Sequence, residues 1–342
     1  MRTHGGIAHS SANILDFSAN INPLGMPDAV RNAIADSAAE CVRYPDPHCT
    51  ALVRALAESE RIPASQIVCG NGAADLIYRI VHAFRPRRAL ICAPTFSEYA
   101  FALREAGSSV REYPLDLSRD GQPDDGFLSA VTAETDLVFL CTPNNPTGRR
   151  VRPELLEKTA EKCSRIGAFL VCDECFLRFS EDAARYSLRP YLNEHCIILN
   201  AFTKLFAMPG LRLGYALCGA PEAAERLRGT GQYWSVSVPA QAAGIAALRV
   251  PDWIPQTVRY VAAERQFLTE SLRKAGVEVY ESDANFLLVR APSDFAAQMA
   301  QRGIALRKCG DFHGLTDRHF RIAVRTHEEN LALISAITEA YK

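Results

Sequence analysis

The sequence predicts an α/β protein: a large domain on a mostly parallel central sheet, followed by a smaller α+β domain. Two observations carry this. Between residues 50 and 245, short continuous apolar runs alternate with amphipathic helical patterns, as expected of strands covered on both faces. Near Val250-Pro251-Asp252 the alternation gives way to one long helix, paired strands and a closing helix. A length of 342 residues leaves room for both cores. The chain divides into residues 1–40, an arm and helix that pack with the smaller domain; 41–248, the large domain; and 249–342, the small one.

Taken in order, the arm is rich in Gly, Ser and Asn, with Leu15 and Phe17 to pin it down. A helix over residues 26–39 and the turn Tyr44-Pro45-Asp46-Pro47 follow. The buried strands are Ile67-Val68-Cys69, Ala89-Leu90-Ile91-Cys92, Leu137-Val138-Phe139-Leu140, Phe169-Leu170-Val171-Cys172, Cys196-Ile197-Ile198-Leu199 and Tyr215-Ala216-Leu217. After Gly72, Leu76, Ile77, Ile80, Val81 and Phe84 recur on one face of a helix. In the smaller domain, a helix over 253–275 carries Val258, Val261, Leu268 and Leu272 and stops at Gly276. Strands at 277–280 and 286–289, a helix at 294–302 and a strand at 320–324 lead to a last helix. That helix opens at Thr326, with Glu329 completing a capping box.

Bulk properties narrow the function. Hydrophobic residues make up 48% and charged residues 23%, with a net charge of -1, so nothing attracts nucleic acid or an anionic membrane surface. The eleven cysteines are scattered, several in strand-like runs, which fits reduced thiols in the cytoplasm. Cys172 and Cys175 form a single C-x-x-C with no second pair, so no metal site is expected. No apolar leader and no membrane-spanning stretch is visible.

The chemistry centres on Asn200-Ala201-Phe202-Thr203-Lys204, directly after a buried strand. A desolvated lysine either pairs with a carboxylate or serves as an amine that forms a Schiff base with a carbonyl cofactor. Thr203 and Arg212 nearby offer a hydroxyl and a forked donor suited to phosphate, and Gly210 and Gly214 let backbone approach a ligand. Three further motifs fall at strand ends, where open parallel sheets collect ligands. Gly70-Asn71-Gly72-Ala73-Ala74-Asp75 opens a helix whose first N–H groups suit phosphate, yet it lacks the third glycine of a dinucleotide loop. Thr142-Pro143-Asn144-Asn145-Pro146-Thr147-Gly148 is turn chemistry that brings Asn145 toward the lysine. Val171-Cys172-Asp173-Glu174 puts a carboxylate at a strand exit; Asp173 and Glu174 both satisfy the spacing for a partner to a ring nitrogen.

In this order the motifs resemble, over the whole chain, fold-type I pyridoxal phosphate enzymes of the class I/II aminotransferase family. The resemblance implies that Lys204 joins the cofactor and shuttles protons, that Asp173 pairs with the pyridinium nitrogen, and that Asn145 bonds the ring's O3′. It implies a phosphate held by Gly72, Ala73, Ala74, Thr203 and Arg212, with Phe96 stacked on the ring. The family's sites lie at a dimer interface, so Tyr44 would reach the neighbouring subunit's cofactor phosphate in a homodimer. Arg321 aligns with the arginine that holds the substrate carboxylate.

Two branches of the family compete. Histidinol-phosphate aminotransferases share Tyr44-Pro45-Asp46, Asn144 to Gly148 and the Arg321 segment, but their Asn-Glu-Asn-Pro stands here as Ala19-Asn20-Ile21-Asn22-Pro23. Residues 15–25, with His4-Gly5-Gly6, 70–75 and 93–99, are more similar to the threonine-phosphate decarboxylases of cobalamin synthesis. That resemblance implies conversion of L-threonine O-phosphate to (R)-1-aminopropan-2-ol O-phosphate and CO2. The substrate's phosphate is expected to be held by His4, Gly5 and Gly6 of the arm and by Arg325 while Arg321 meets the other end, with Asn22 a further substrate contact. L-Serine O-phosphate is the alternative substrate and transamination the alternative reaction. A short arm between Gly6 and Leu15 departs from the pattern. A catalytically silent binding module is the reading least compatible with the presence of Lys204, Asp173, Asn145 and Arg212.

Overall fold

The computed structural model describes Gly5, Gly6 and residues 14–340. Its strands run in chain order β1 (Leu15–Asp16), β2 (Ile67–Gly70), β3 (Arg88–Ala93), β4 (Ser109–Pro114), β5 (Leu137–Cys141), β6 (Phe169–Asp173), β7 (Cys196–Ala201) and β8 (Gly214–Cys218). Five more follow: β9 (Glu278–Val279), β10 (Phe286–Arg290), β11 (Ile304–Ala305), β12 (Arg307–Lys308) and β13 (His319–Ala323).

Seven strands form the large sheet in the order β2-β8-β7-β6-β5-β3-β4. All its pairings are parallel except those of β8, which is antiparallel to both β2 and β7. Each apolar run read from the sequence is a strand of this sheet. Successive strand residues point to opposite faces, and the core divides accordingly. Val171, Ile197, Phe139 and Ile91 pack with Leu76, Ile77, Ile80 and Val81 of the helix Gly72–Phe84. Leu170, Cys172, Ile198 and Val138 pack on the other face, with Leu155, Leu156 and Ala160 of the helix Pro153–Ile166. Full burial of one such side chain contributes about 1.5–3 kcal/mol, so both layers are needed. The edge strand β4 was not visible in the sequence: Ser109-Val110-Arg111-Glu112-Tyr113-Pro114 is polar and half exposed, unlike β2 at the opposite edge, which is buried throughout.

The smaller antiparallel sheet has the order β12-β13-β10-β9. The helix Trp253–Lys274 buries Val261, Leu268 and Leu272, and the chain turns out of it at Gly276 with φ +82. The last helix is closed at its start by the reciprocal bonds Thr326 N to Glu329 Oε2, 3.1 Å, and Glu329 N to Thr326 Oγ1, 3.3 Å. β1 pairs in parallel with β11, which ties the arm to this part of the molecule. The following helix does not go with it. Asp28–Asp36 packs instead against the helix Val238–Ala247, whose buried Ala240, Ala243, Gly244 and Ala247 present a surface without bulk. Among the described residues no helix is long and apolar enough to cross a membrane, and no cluster of His, Cys, Asp or Glu is arranged to hold a metal ion.

Candidate active site

A cavity of about 560 Å³ opens where the carboxyl ends of β5, β6 and β7 face β12 and β13. β6 ends in Asp173, and the alternation of the strand decides which carboxylate enters the cavity. Asp173 shares the face of Val171; it is buried, accepts from Tyr99 Oη at 2.6 Å and from Cys175 N at 3.0 Å, and lines the cavity. Glu174 points to the other side, where Leu188 N donates to Oε1 at 2.7 Å and Ser187 Oγ to Oε2 at 2.9 Å. Tyr99, stacked on Phe139 at 4.8 Å, is itself fully buried, so Asp173 is clamped by a rigid neighbour.

β7 leads into the short helix Phe202–Leu205, which carries Thr203 and Lys204. Lys204 is half-buried against the cavity, and its amine is pushed down to about 8 by desolvation and by the charges of Arg321 and Arg212. An amine with that value is reactive near neutral pH. The turn that carries it is stitched to the arm: Asn22 N donates to Lys204 O at 3.0 Å, and Asn22 Nδ2 to Leu205 O at 2.7 Å and Thr257 Oγ1 at 2.8 Å.

Opposite the lysine, Ala73 and Ala74 at the start of the helix Gly72–Phe84 line the cavity with Arg212. Gly72 has φ +84, and a Cβ there would lie 2.6 Å from an Arg212 guanidinium nitrogen. Only glycine leaves that arginine its place beside the helix N-terminus. A second close approach comes from Gly214, where a Cβ would lie 2.6 Å from Ala73 N.

The remaining wall is cationic. Arg321 on β13 donates to Asn145 Oδ1 at 2.5 Å and to Ser18 O at 2.9 Å; burial pushes its guanidinium down to about 10. Arg307 on β12 is its direct cross-strand partner, also buried and also lining the cavity. Phe96 contributes its ring, with Tyr99 edge-on at 5.6 Å.

The structure thus brings Ala73, Ala74, Phe96, Asn145, Asp173, Thr203, Lys204, Arg212, Arg321 and Gly5 to one cavity. Gly5 packs close enough to Ser18 that a Cβ would lie 2.0 Å from Ser18 O, and Gly6 N donates to Ser18 Oγ at 2.7 Å. Two other expectations are corrected. Asn22 is buried outside the cavity lining, with its amide committed to the Lys204 turn rather than to a ligand. Arg325 is drawn away by Glu329, to which it donates at 2.6 Å, because the same glutamate caps the last helix. Tyr44 is 78% exposed and stacks on Trp234 at 4.4 Å, away from this chain's own cavity. His4 lies outside the described residues. Sequence reasoning missed Arg307, Asn20, Tyr99 and Phe312. Arg307 sits on a two-residue strand too short to show a period, and Asn20 stands two positions before Asn22 in one polar turn, where spacing does not tell the two asparagines apart.

A reactive lysine, a clamped carboxylate and a phosphate-ready helix start in one cavity define an enzyme that works through a phosphorylated carbonyl cofactor. Comparison with known proteins agrees. The family model "Aminotransferase class I and II" matches residues 12–337; the chain belongs to that family, whose enzymes depend on pyridoxal phosphate. It is 36% identical to a threonine-phosphate decarboxylase of Salmonella typhimurium, over 98% of this chain and 95% of that one. It is 33% identical to histidinol-phosphate aminotransferase 2 of Archaeoglobus fulgidus, over 95% and 93%. Among solved structures, the histidinol-phosphate aminotransferase from Clostridium acetobutylicum superposes with a TM-score of 0.90 at 27% identity, covering 96% of this chain and 99% of that one.

Proposed function

We propose that this chain decarboxylates L-threonine O-phosphate to (R)-1-aminopropan-2-ol O-phosphate and CO2, as a step of cobalamin biosynthesis. The observation that carries this reading is the pair Arg321 and Arg307, buried side by side in the cavity that holds Lys204. Two guanidinium groups suit an amino acid with a second anion, and the similarity to a threonine-phosphate decarboxylase points the same way.

The residues present fit pyridoxal phosphate. Ala73, Ala74, Thr203 and Arg212 would hold its phosphate, and the cradle at Gly72 that a Cβ would fill supports that placement. Asp173 would keep the ring nitrogen protonated. Asn145, its Oδ1 taken by Arg321, has Nδ2 to donate to the ring's phenolic oxygen, and Phe96 would lie on the ring face. When bound, the cofactor supplies a sink for the electron pair left at the α-carbon as CO2 departs.

This chain's residues then choose the reaction. Arg321, bonded to Asn145 and acting by its charge on the Lys204 amine, stands on the lysine side of the pair and would take the carboxylate next to the α-carbon. Arg307 takes the phosphate at the far end. A ligand held at both ends has its α-carbon orientation fixed, and orientation decides whether the carboxylate or the α-hydrogen is lost. Positioning of this kind is worth several kcal/mol. Lys204, with its amine brought down to about 8, returns a proton to the α-carbon after CO2 has left.

The protein acts as a cytoplasmic homodimer in this reading. Its eleven free cysteines fit a reducing compartment, and Tyr44, exposed and stacked on Trp234, has a hydroxyl to donate to a second copy's cofactor phosphate. The test is a product assay on the cofactor-loaded protein with L-threonine O-phosphate, L-serine O-phosphate, or L-histidinol phosphate plus 2-oxoglutarate. CO2 and a phosphorylated amino alcohol are expected from the first. Faster turnover of serine phosphate would reassign the substrate, and glutamate from 2-oxoglutarate would make the chain an aminotransferase.

A further inference from the structure

The segment joining β12 to β13, residues 309–318, places three consecutive side chains in three different settings. Asp311 accepts from Arg307 Nη2 at 2.7 Å. Phe312 lies 5.2 Å from the same guanidinium, measured to its ring centre, and lines the main cavity. His313 pairs with Glu112 on the edge strand β4, and Glu112 also accepts from Arg104 at 2.5 Å. Asp311, Phe312 and His313 together wall a second cavity of about 260 Å³, which shares Phe96, Ser97 and Phe312 with the first.

Arg307 needs such a hold. It faces Arg321 directly across the strand pair, and both guanidinium groups are buried with like charge. Like charges on opposed strand positions repel, and a long side chain relieves repulsion by turning its head elsewhere. A carboxylate at one edge of the planar fork opposes this and fixes the plane. Arg307 Nη1 also donates to Lys308 O, so the head is gripped on its own segment. The pairing of His313 with Glu112 anchors the far side of that segment to the large sheet.

We infer that Asp311 is the positioning residue for the substrate's phosphate: it holds the Arg307 guanidinium where the anion is received. This rests on the reading of Arg307 as the phosphate's partner. Asp311→Asn keeps the shape and removes the charge. On the cofactor-loaded protein, KM for L-threonine O-phosphate should rise about tenfold with kcat within about twofold. Inorganic phosphate, titrated by calorimetry, should weaken by the same factor. L-Threonine without the phosphate should bind wild type and variant alike, and Asp311→Glu should recover most of the loss. His313→Ala should give a smaller loss in the same direction. Equal losses for L-threonine and its phosphate, or an unchanged phosphate affinity, would overturn the assignment, because a purely structural role moves both ligands together. A wild-type protein that leaves threonine phosphate intact would sink the functional reading, while the inorganic phosphate titration would still decide the role of Asp311.

Discussion

Two clusters of buried charge meet at the end of β6, one reached by Asp173 and the other by its neighbour Glu174, and they are built on opposite plans. Behind Glu174, Glu60 gathers Arg178, Arg189 at 2.7 Å and the Tyr215 hydroxyl at 2.6 Å. Burial alone would raise the Glu60 carboxyl, but Arg178, Tyr215 and Arg189 outweigh it and hold it below the usual range. This cluster satisfies itself. On the Asp173 side the balance is reversed, for Lys204 and Arg321 are both pushed below their ordinary values, first by burial and then by neighbouring cations. The bonds that Arg321 makes among the described residues go to neutral acceptors, Asn145 Oδ1 and Ser18 O. A structural network completes its own charge; in the cavity Arg307 has Asp311, but Arg321 is left with neutral acceptors, so that an anionic ligand supplies the rest.

The sharpest way to break the contrast is at Lys204. Lys204→Ala should reduce turnover by about 10²–10⁴-fold, since it removes the group assigned to proton transfer, while the melting temperature of the cofactor-free protein holds or rises. The same variant carries a pH signature. An amine brought from 10.5 to about 8 binds its proton less well folded than unfolded, so stability should climb between about pH 8 and 10.5 and the climb should vanish in the variant. A cofactor-free variant much less stable than wild type would show that Lys204 belongs to the structural class after all.

Glu60 should behave in the opposite sense. Glu60→Gln leaves the half-buried Arg178 and Arg189 with no carboxylate between them; solvent reaches both guanidinium groups, so the loss should be about 1–3 kcal/mol in urea unfolding. The kcat of the folded, cofactor-loaded variant should stay within a few-fold of wild type. In the parent protein this contribution is fully present above the ordinary carboxylate range and lost as pH falls below it, because the folded carboxyl is held low. A variant that unfolds like wild type but has lost activity would erase the distinction between the clusters.

Both clusters were half legible in the sequence, for a physical reason. Continuous apolar runs announced each buried strand of the large sheet except β4, whose exposed edge mixes Arg111 and Glu112 into the pattern. Strand ends then gave Lys204, Asp173 and Asn145, because ligands gather there. The choice between Asp173 and Glu174 depended on which face of β6 carries the cavity, and that is a property of packing rather than of spacing. Arg307 and Arg325 show the same limit. Arg325 lies in the longer, more regular stretch, yet the capping glutamate Glu329 draws it off, while Arg307 owes its place to a two-residue strand whose register with β13 exists only in the assembled sheet.

Glu174 offers the smallest and most discriminating test, because it stands between the two clusters. Its carboxyl is pushed up to about 7 by burial, against the opposing pull of the Leu188 N–H, the Ser187 hydroxyl and Arg178 and with a further push from Glu60. A carboxyl raised from 4.5 to about 7 holds its proton better folded than unfolded. Stability should therefore decline as pH rises from about 4.5 through 7, by at most about 3 kcal/mol. Glu174→Gln keeps an oxygen for Leu188 N–H and cannot ionise, so its stability should match wild type near pH 5 and exceed it at pH 8. Activity should change little, since the side chain points away from the cavity and toward Ser187. A variant that is flat in stability yet slow in turnover at all pH values would mean that the two sides of β6 are coupled, with Glu174 steadying Asp173 through the backbone they share.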